Sequence, residues 1–190
     1  MFLLLDSETG GLTHQHSILT TYMAVYDANL RLIDELSLKI QPDNGILVTD
    51  PEALKVNGIN PEEHVKTAIS ETKAAGIIAD FLSQNSTDGK NKLMPFGHNV
   101  EFDMAFIRAR LINDKEMSKF FIKYNLDTIV LGTFLKLIGK LPKDLPNSLG
   151  SYAEYFGILT PGLHDAKIDC QTTLSVLKKM IRLIKEGNIG

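Results

Sequence analysis

A single cysteine in 190 residues, Cys170, excludes an internal disulfide framework and any zinc cluster built on cysteine, and it makes a reducing, cytoplasmic setting the expectation. The chain has no apolar run near the roughly 20 residues that span a bilayer. Met1 to Leu5 lacks the basic start and the length of a secretory h-region, so it reads as a first strand. Positive charge is scarce in the first third, where residues 1–64 hold only Arg31, Lys39 and Lys55 against ten acids, and the net charge is −3. A protein that coats long duplexes needs a basic stripe and many phosphate contacts, which this balance does not supply. The deficit reverses over residues 108–143, where eight bases face Asp114, Glu116 and Asp127. That segment either grips a few phosphates near a site or, for Lys115, Lys119 and Lys123 at i, i+4 and i+8, only solvates one helix face.

What is present suffices for a core. With 44% hydrophobic residues, the length suits one domain spanning residues 1–190. Ile18 to Tyr26 and Arg31 to Gln41 flank a short Asp27-Ala28-Asn29-Leu30 connection and read as a hairpin that joins Met1 to Leu5 in three antiparallel strands. Asp50-Pro51 opens a short helix ending at Gly58, with the aspartate as N-cap. Ala74, Ile77, Ile78, Phe81 and Leu82 recur at helical spacing until a polar loop from Ser83 to Asn91. Lys92 to Gly97 then reads as a buried strand, with a helix from about Asn99. Tyr124 to Asp127 reads as a strand and Thr128 to Ile138 as a helix, followed by a proline-containing loop and a helix capped by Ser148. A long final helix runs from about Asp165 to Lys185, with Cys170 on its apolar stripe. Strands followed by alternating helices and strands make an α/β fold with a mixed sheet.

Chemistry concentrates in three short stretches. In Asp6-Ser7-Glu8-Thr9-Gly10-Gly11-Leu12 the two acids sit at i and i+2 of a strand, so they project from one face into one site. Two like charges that close repel, and a hard divalent cation, taking oxygen ligands from carboxylates and phosphates, is the simplest reason for both to be there. Alone, an acidic strand end before two glycines is more often an exposed turn than a metal site. The other two stretches are His98-Asn99-Val100-Glu101-Phe102-Asp103 and His164-Asp165-Ala166-Lys167-Ile168-Asp169.

In order and internal spacing the three stretches resemble the motifs of the DEDDh (DnaQ-like) 3′ to 5′ exonuclease superfamily. Asp6 and Glu8 stand at the acids of the first motif, Asp103 closes the second, and His164 and Asp169 supply the histidine and last aspartate of the third. Softer likeness lies in Val56 to Ile59, Asp127-Thr128 and Leu149 to Ile158. The sequence departs from the pattern at Gly10, where threonine is frequent, at Asn57, where histidine is common, and at Asp165. The resemblance implies a ribonuclease H-like fold, a five-stranded sheet in order 3-2-1-4-5 flanked by helices. It also implies two divalent cations, Mg²⁺ with Mn²⁺ able to substitute, held by Asp6, Glu8, Asp103 and Asp169. In that scheme Asp6 bridges both ions, Glu8 and Asp169 hold the one carrying the nucleophilic water, and Asp103 acts through water or from behind the direct ligands. His164 would be the general base. Thr9, Gly10 and Leu12 would approach the terminal nucleotide, with Asn99 and Phe102 opposite. Gly10 and Gly11 read alternatively as a tight turn, and Leu12 and Phe102 as packing residues. His98 reads as a structural hydrogen-bonder, and His14, His16 and His64 take no role. The implied partners are single-stranded DNA or RNA 3′ ends and, for a proofreading member, a DNA polymerase. The form of the first motif and Val56 to Ile59 lean toward DNA. A domain on this fold that binds nucleic acid without cleaving it is the competing reading.

Overall fold

The structure is a computed structural model that describes residues 1–86, 92–160, 162 and 164–186. Its centre is β1 (Phe2–Thr9), whose Leu3, Leu4 and Leu5 are all buried because neighbours cover both faces. β2 (Ile18–Tyr26) pairs antiparallel with β1 and β3 (Leu32–Gln41) antiparallel with β2. The turn between β2 and β3 closes on Asp27, whose carboxylate accepts the N–H groups of Asn29 and Arg31. α1 (Pro51–Asn57) and the short α2 (Pro61–His64) follow. β4 (Ile69–Ser70) adds a two-residue parallel strand at the β3 edge, and α3 (Glu71–Asn85) leads away from it. β5 (Met94–Gly97) pairs parallel with the other side of β1, then α4 (Val100–Arg110), α5 (Asp114–Phe120) and β6 (Leu126–Asp127) complete that edge. α6 (Thr128–Leu137), α7 (Leu149–Tyr155) and α8 (Ala166–Glu186) close the chain.

The sheet runs β4-β3-β2-β1-β5-β6. The expected five strands in order 3-2-1-4-5 correspond to β3, β2, β1, β5 and β6, and the sixth, β4, is too short to leave a pattern in sequence. Alternation along β1 and β2 sends Leu3, Leu5, Met23 and Val25 into the core under α3 and α4. It sends Leu4, Tyr22 and Ala24 to the opposite face, under α8 with Cys170. A third cluster joins Leu135, Tyr152, Val176 and Met180 across α6, α7 and α8.

Three expectations need correction. Asp50 occupies the N-cap position of α1 but makes no capping bond with its side chain; its carboxylate meets His16 Nε2 at 3.1 Å instead. The polar residues Ser83 to Asn85 belong to α3, because Asn85 donates to Asp34 and to the Phe81 carbonyl and so extends the helix past its apolar stripe. Residues 87–91 of the expected loop lie outside the described residues. The segment around Lys115 and Lys119 is helical, but α5 ends at Phe120, so Lys123 does not share that face. Among the described residues no helix is long and apolar enough to cross a membrane.

Candidate active site

β1 runs beyond its parallel neighbour. Its pairing with β5 ends at Leu4 and Phe96, which leaves Asp6, Ser7 and Glu8 projecting past the end of β5 over the entry to α4. The Ser7 N–H, unclaimed by a strand on that edge, is taken by the Asp103 carboxylate from the first turn of α4. From the other face, the first turn of α8 brings Asp169 against β1. Strand, α4 and α8 thus deliver their acids to one place.

One carboxylate oxygen each from Asp6, Glu8 and Asp169 lie within 4.8 Å of one another. Asp103, held by Ser7, stands beside this triad and lines the same cavity of about 170 Å³, together with Asp6, Glu8, Asp169, His98, Asn99, Phe102 and His164. All five motif residues therefore meet. Burial, followed by the charges of Asp103, Asp169 and Glu8, drives the Asp6 carboxyl well above its ordinary range. Burial and the charges of Asp169 and Asp165 lift Glu8 to about 7. Asp103 and Asp169 are raised as well, mainly by burial.

Asp169 Oδ2 accepts the His164 N–H at 3.2 Å, whereas its Oδ1 is buried without a hydrogen-bond partner among the described residues. A cluster of carboxylates that repels itself and includes a buried, unsatisfied oxygen has the donor set of a hard divalent cation site, and these residues fit such an ion. His164 is exposed and holds a left-handed backbone, φ 75°, on the segment entering α8. Asp165 caps that entry by accepting the N–H groups of Lys167 and Ile168. His98 is fixed otherwise: its Nδ1 meets Thr128 Oγ1 at 2.7 Å and its ring stands edge-on to Tyr152.

Two clefts open from Glu8. One, of about 400 Å³, is lined by Leu12, Ala53, Val56 and Phe102 with Thr9 and Asn57. Leu12 is 84% exposed on its rim, which rules out the core alternative. The other, of about 510 Å³, is more polar and runs past Thr20, Lys39 and Asn60 to His164. Gly10 reaches neither. Its N–H donates to the Ser17 carbonyl at 2.8 Å, its carbonyl accepts from Asp50 at 2.6 Å, and a Cβ there would strike the Val48 carbonyl and Thr49. Glycine at this position lets the end of β1 lie close against residues 48–50.

Sequence reasoning gave no role to two residues that hold this mouth together. Asp127 accepts the N–H groups of Asn99, Val100 and Ile129, pinning the start of α4 to the end of β6. An acid directly before the apolar start of a helix was its signal. Asn57 donates to the Thr9 carbonyl at 3.1 Å and accepts from Ile59, tying α1 to the end of β1.

Known proteins align with this arrangement. The RNase_T exonuclease family model matches residues 3–177. Ribonuclease T of Histophilus somni is 29% identical over 140 residues, 70% of this chain and 63% of its own length. Ribonuclease T of Yersinia pestis is 32% identical over 112 residues, 56% of this chain and 52% of its own. The chain therefore spans between half and two thirds of the relatives it matches. Among solved structures, exonuclease I of E. coli in complex with a dT13 oligonucleotide superposes with TM-score 0.73 at 20% identity, over 97% of this chain and 42% of that one. Exonuclease I of Methylocaldum szegediense superposes with TM-score 0.76 at 20% identity, over 98% and 40%. These neighbours share the ribonuclease H-like exonuclease fold. With the family model matched over nearly the whole chain and the motif residues drawn into one cavity, the protein belongs to the DEDDh, DnaQ-like 3′ to 5′ exonuclease superfamily.

Proposed function

We propose that residues 1–190 act as one exonuclease domain that hydrolyses the terminal phosphodiester of single-stranded nucleic acid from the 3′ end and releases nucleoside 5′-monophosphates. The observation that carries this reading is the convergence of one carboxylate oxygen each from Asp6, Glu8 and Asp169 within 4.8 Å of one another, in a residue set where Asp169 Oδ1 is buried with no hydrogen-bond partner among the described residues. Those three would hold divalent ions directly and Asp103 through water, with Mg²⁺ as the resident ion and Mn²⁺ as a substitute. Bound there, such ions supply an activated water and charge stabilisation for the leaving oxygen. The chain's own groups do the rest. The His164 imidazole takes the proton of the attacking water. Leu12 and Phe102 receive the terminal base in the apolar cleft, Thr9 sits behind its sugar, and Asn99 faces it from the start of α4.

Single-stranded DNA is the proposed substrate, in the reducing cytoplasm that a lone buried cysteine suits. A DNA polymerase would be the protein partner if the domain proofreads. An exoribonuclease is the second reading, favoured by the relatives that are named Ribonuclease T. Labelled DNA and RNA oligomers of one sequence, digested side by side with Mg²⁺, separate the two. In the same assay Asp6→Ala and Asp169→Ala are expected to lower cleavage by roughly 10³-fold or more. Near-wild-type cleavage by either variant would overturn the metal-site assignment, and a wild-type protein that binds the oligomer without shortening it would be the non-catalytic domain.

A further inference from the structure

Lys167 is the one cation in the first turn of α8, two residues before Asp169, yet its ammonium does not meet the acids. It pairs with Glu35 Oε1 at 3.0 Å and lies 5.3 Å from the centroid of the Tyr22 ring. The second Glu35 oxygen accepts the Tyr22 hydroxyl. Tyr22 is the register partner of Asp6, and Glu35 that of Ala24, so Tyr22, Glu35 and Asp6 all project from the sheet face that α8 covers. One polar triad on β2, β3 and α8 thus fastens the start of α8 to the sheet beside the strand residue that carries Asp6.

We propose that Tyr22, Glu35 and Lys167 are positioning residues that hold Asp169 against Asp6 and Glu8 and so set the divalent-cation affinity of the site. This inference rests on the metal reading proposed above. The physical need is plain: the acids repel one another when no cation is bound, and that force acts to lift the first turn of α8 off the sheet. On the site side, the one hydrogen bond that the Asp169 side chain makes among the described residues comes from the His164 N–H. A tether on the other side of the same turn, made by a residue whose charge is already spent on Glu35, opposes the repulsion without placing a cation among the ligands.

Charge and geometry make opposite predictions for one variant. If Lys167 acts only through its charge, Lys167→Gln makes the site more negative and tightens Mn²⁺. If it positions α8, the same change weakens Mn²⁺ by about two- to fivefold, the size expected for a half-exposed ion pair. On the positioning reading Tyr22→Phe, which alters no charge at neutral pH, moves affinity in the same direction, and Lys167→Arg restores most of it. Calorimetric titration of the whole protein with Mn²⁺ measures all three variants. Amide exchange in chelator adds a metal-free readout, because the Asp169 N–H bonded to the Asp165 carbonyl is expected to exchange faster in Lys167→Gln. Tighter Mn²⁺ binding in Lys167→Gln, or unchanged binding in Tyr22→Phe, overturns the proposal. Failure of the wild type to bind Mn²⁺ overturns the metal reading and this one together, whereas binding indifferent to the variants overturns this one alone.

Discussion

Glu8 makes the acid cluster visible to a pH titration. Its carboxyl is lifted from an ordinary 4.5 to about 7 in the folded protein, first by burial and then by Asp169 and Asp165. A group raised in this way binds its proton more tightly when folded, so its contribution is present below pH 4.5 and is lost as pH rises through 7. The carboxyls of Asp27, Asp43 and Glu35, which hydrogen bonds hold below their usual range, are ionised in both states across that window. Half-buried His98, which that burial holds below its ordinary 6.5, contributes with the opposite sign only below that pH. The metal-free protein is therefore expected to lose melting temperature between pH 6.5 and pH 8, and Mn²⁺ to restore it most strongly at the upper end; thermal melts in chelator and in Mn²⁺ across that range check both signs. Removing one charge should act likewise. Asp6→Asn is expected to raise the metal-free melting temperature by about 2–4 °C, as one kcal/mol does in a domain of this size, while abolishing the protection by Mn²⁺. The five motif residues were legible in the sequence because three short stretches resemble, in order and internal spacing, the motifs of the superfamily. The packing of Gly10 was not, since its two backbone bonds go to Ser17 and Asp50, partners that only the folded chain reveals.

Among the elements, the start of α4 and the crossing of α6 with α7 carry the sharpest consequences. Asp127 receives three N–H groups at the junction of β6, α4 and α6, so Asp127→Ala strands donors on two helices. It is expected to cost about 1–2 kcal/mol, the upper range for losing a cap, and to lower cleavage because Asp103 rides on α4; urea unfolding and oligomer digestion measure the pair of effects. Gly132 faces the buried Tyr152, whose hydroxyl donates to Asn147 at 2.7 Å. A Cβ at Gly132 would overlap that hydroxyl and ring. Alanine is the better helix former by about 1 kcal/mol, yet Gly132→Ala is expected to destabilise by roughly 1–3 kcal/mol through overpacking, and denaturant titration decides which term wins. The strong periodicities of α6 and α8 were legible without coordinates. The extent of α5 was not: a seven-residue helix that buries Met117 as its one core residue writes too short a stripe into the sequence to mark its end at Phe120.

At the scale of the whole molecule, charge and topology set how the proposed nucleic-acid substrate would be met. A net charge of −3, with ten acids in the first 64 residues, leaves few places to neutralise phosphates. Oligonucleotide binding by the Asp169→Ala protein is accordingly expected to weaken with salt along a shallow log–log slope of about −2, since each phosphate contact on a single strand contributes roughly −0.7; fluorescence anisotropy between 50 and 300 mM salt measures it, and a slope near −6 would mean a much longer contact path. By itself the sequence determined the residue types of the site, the mixed α/β class and the two faces of β1, because each is written in local spacing, period two for strands and 3.6 for helices. The tertiary structure alone decided that β1 outruns β5 and leaves Ser7 to hold Asp103, that Leu12 stands on an open rim, and that Lys167 turns to Glu35 and away from the acids. Those outcomes depend on which distant segments become neighbours, and contacts between residues far apart in the chain leave no periodic trace along it.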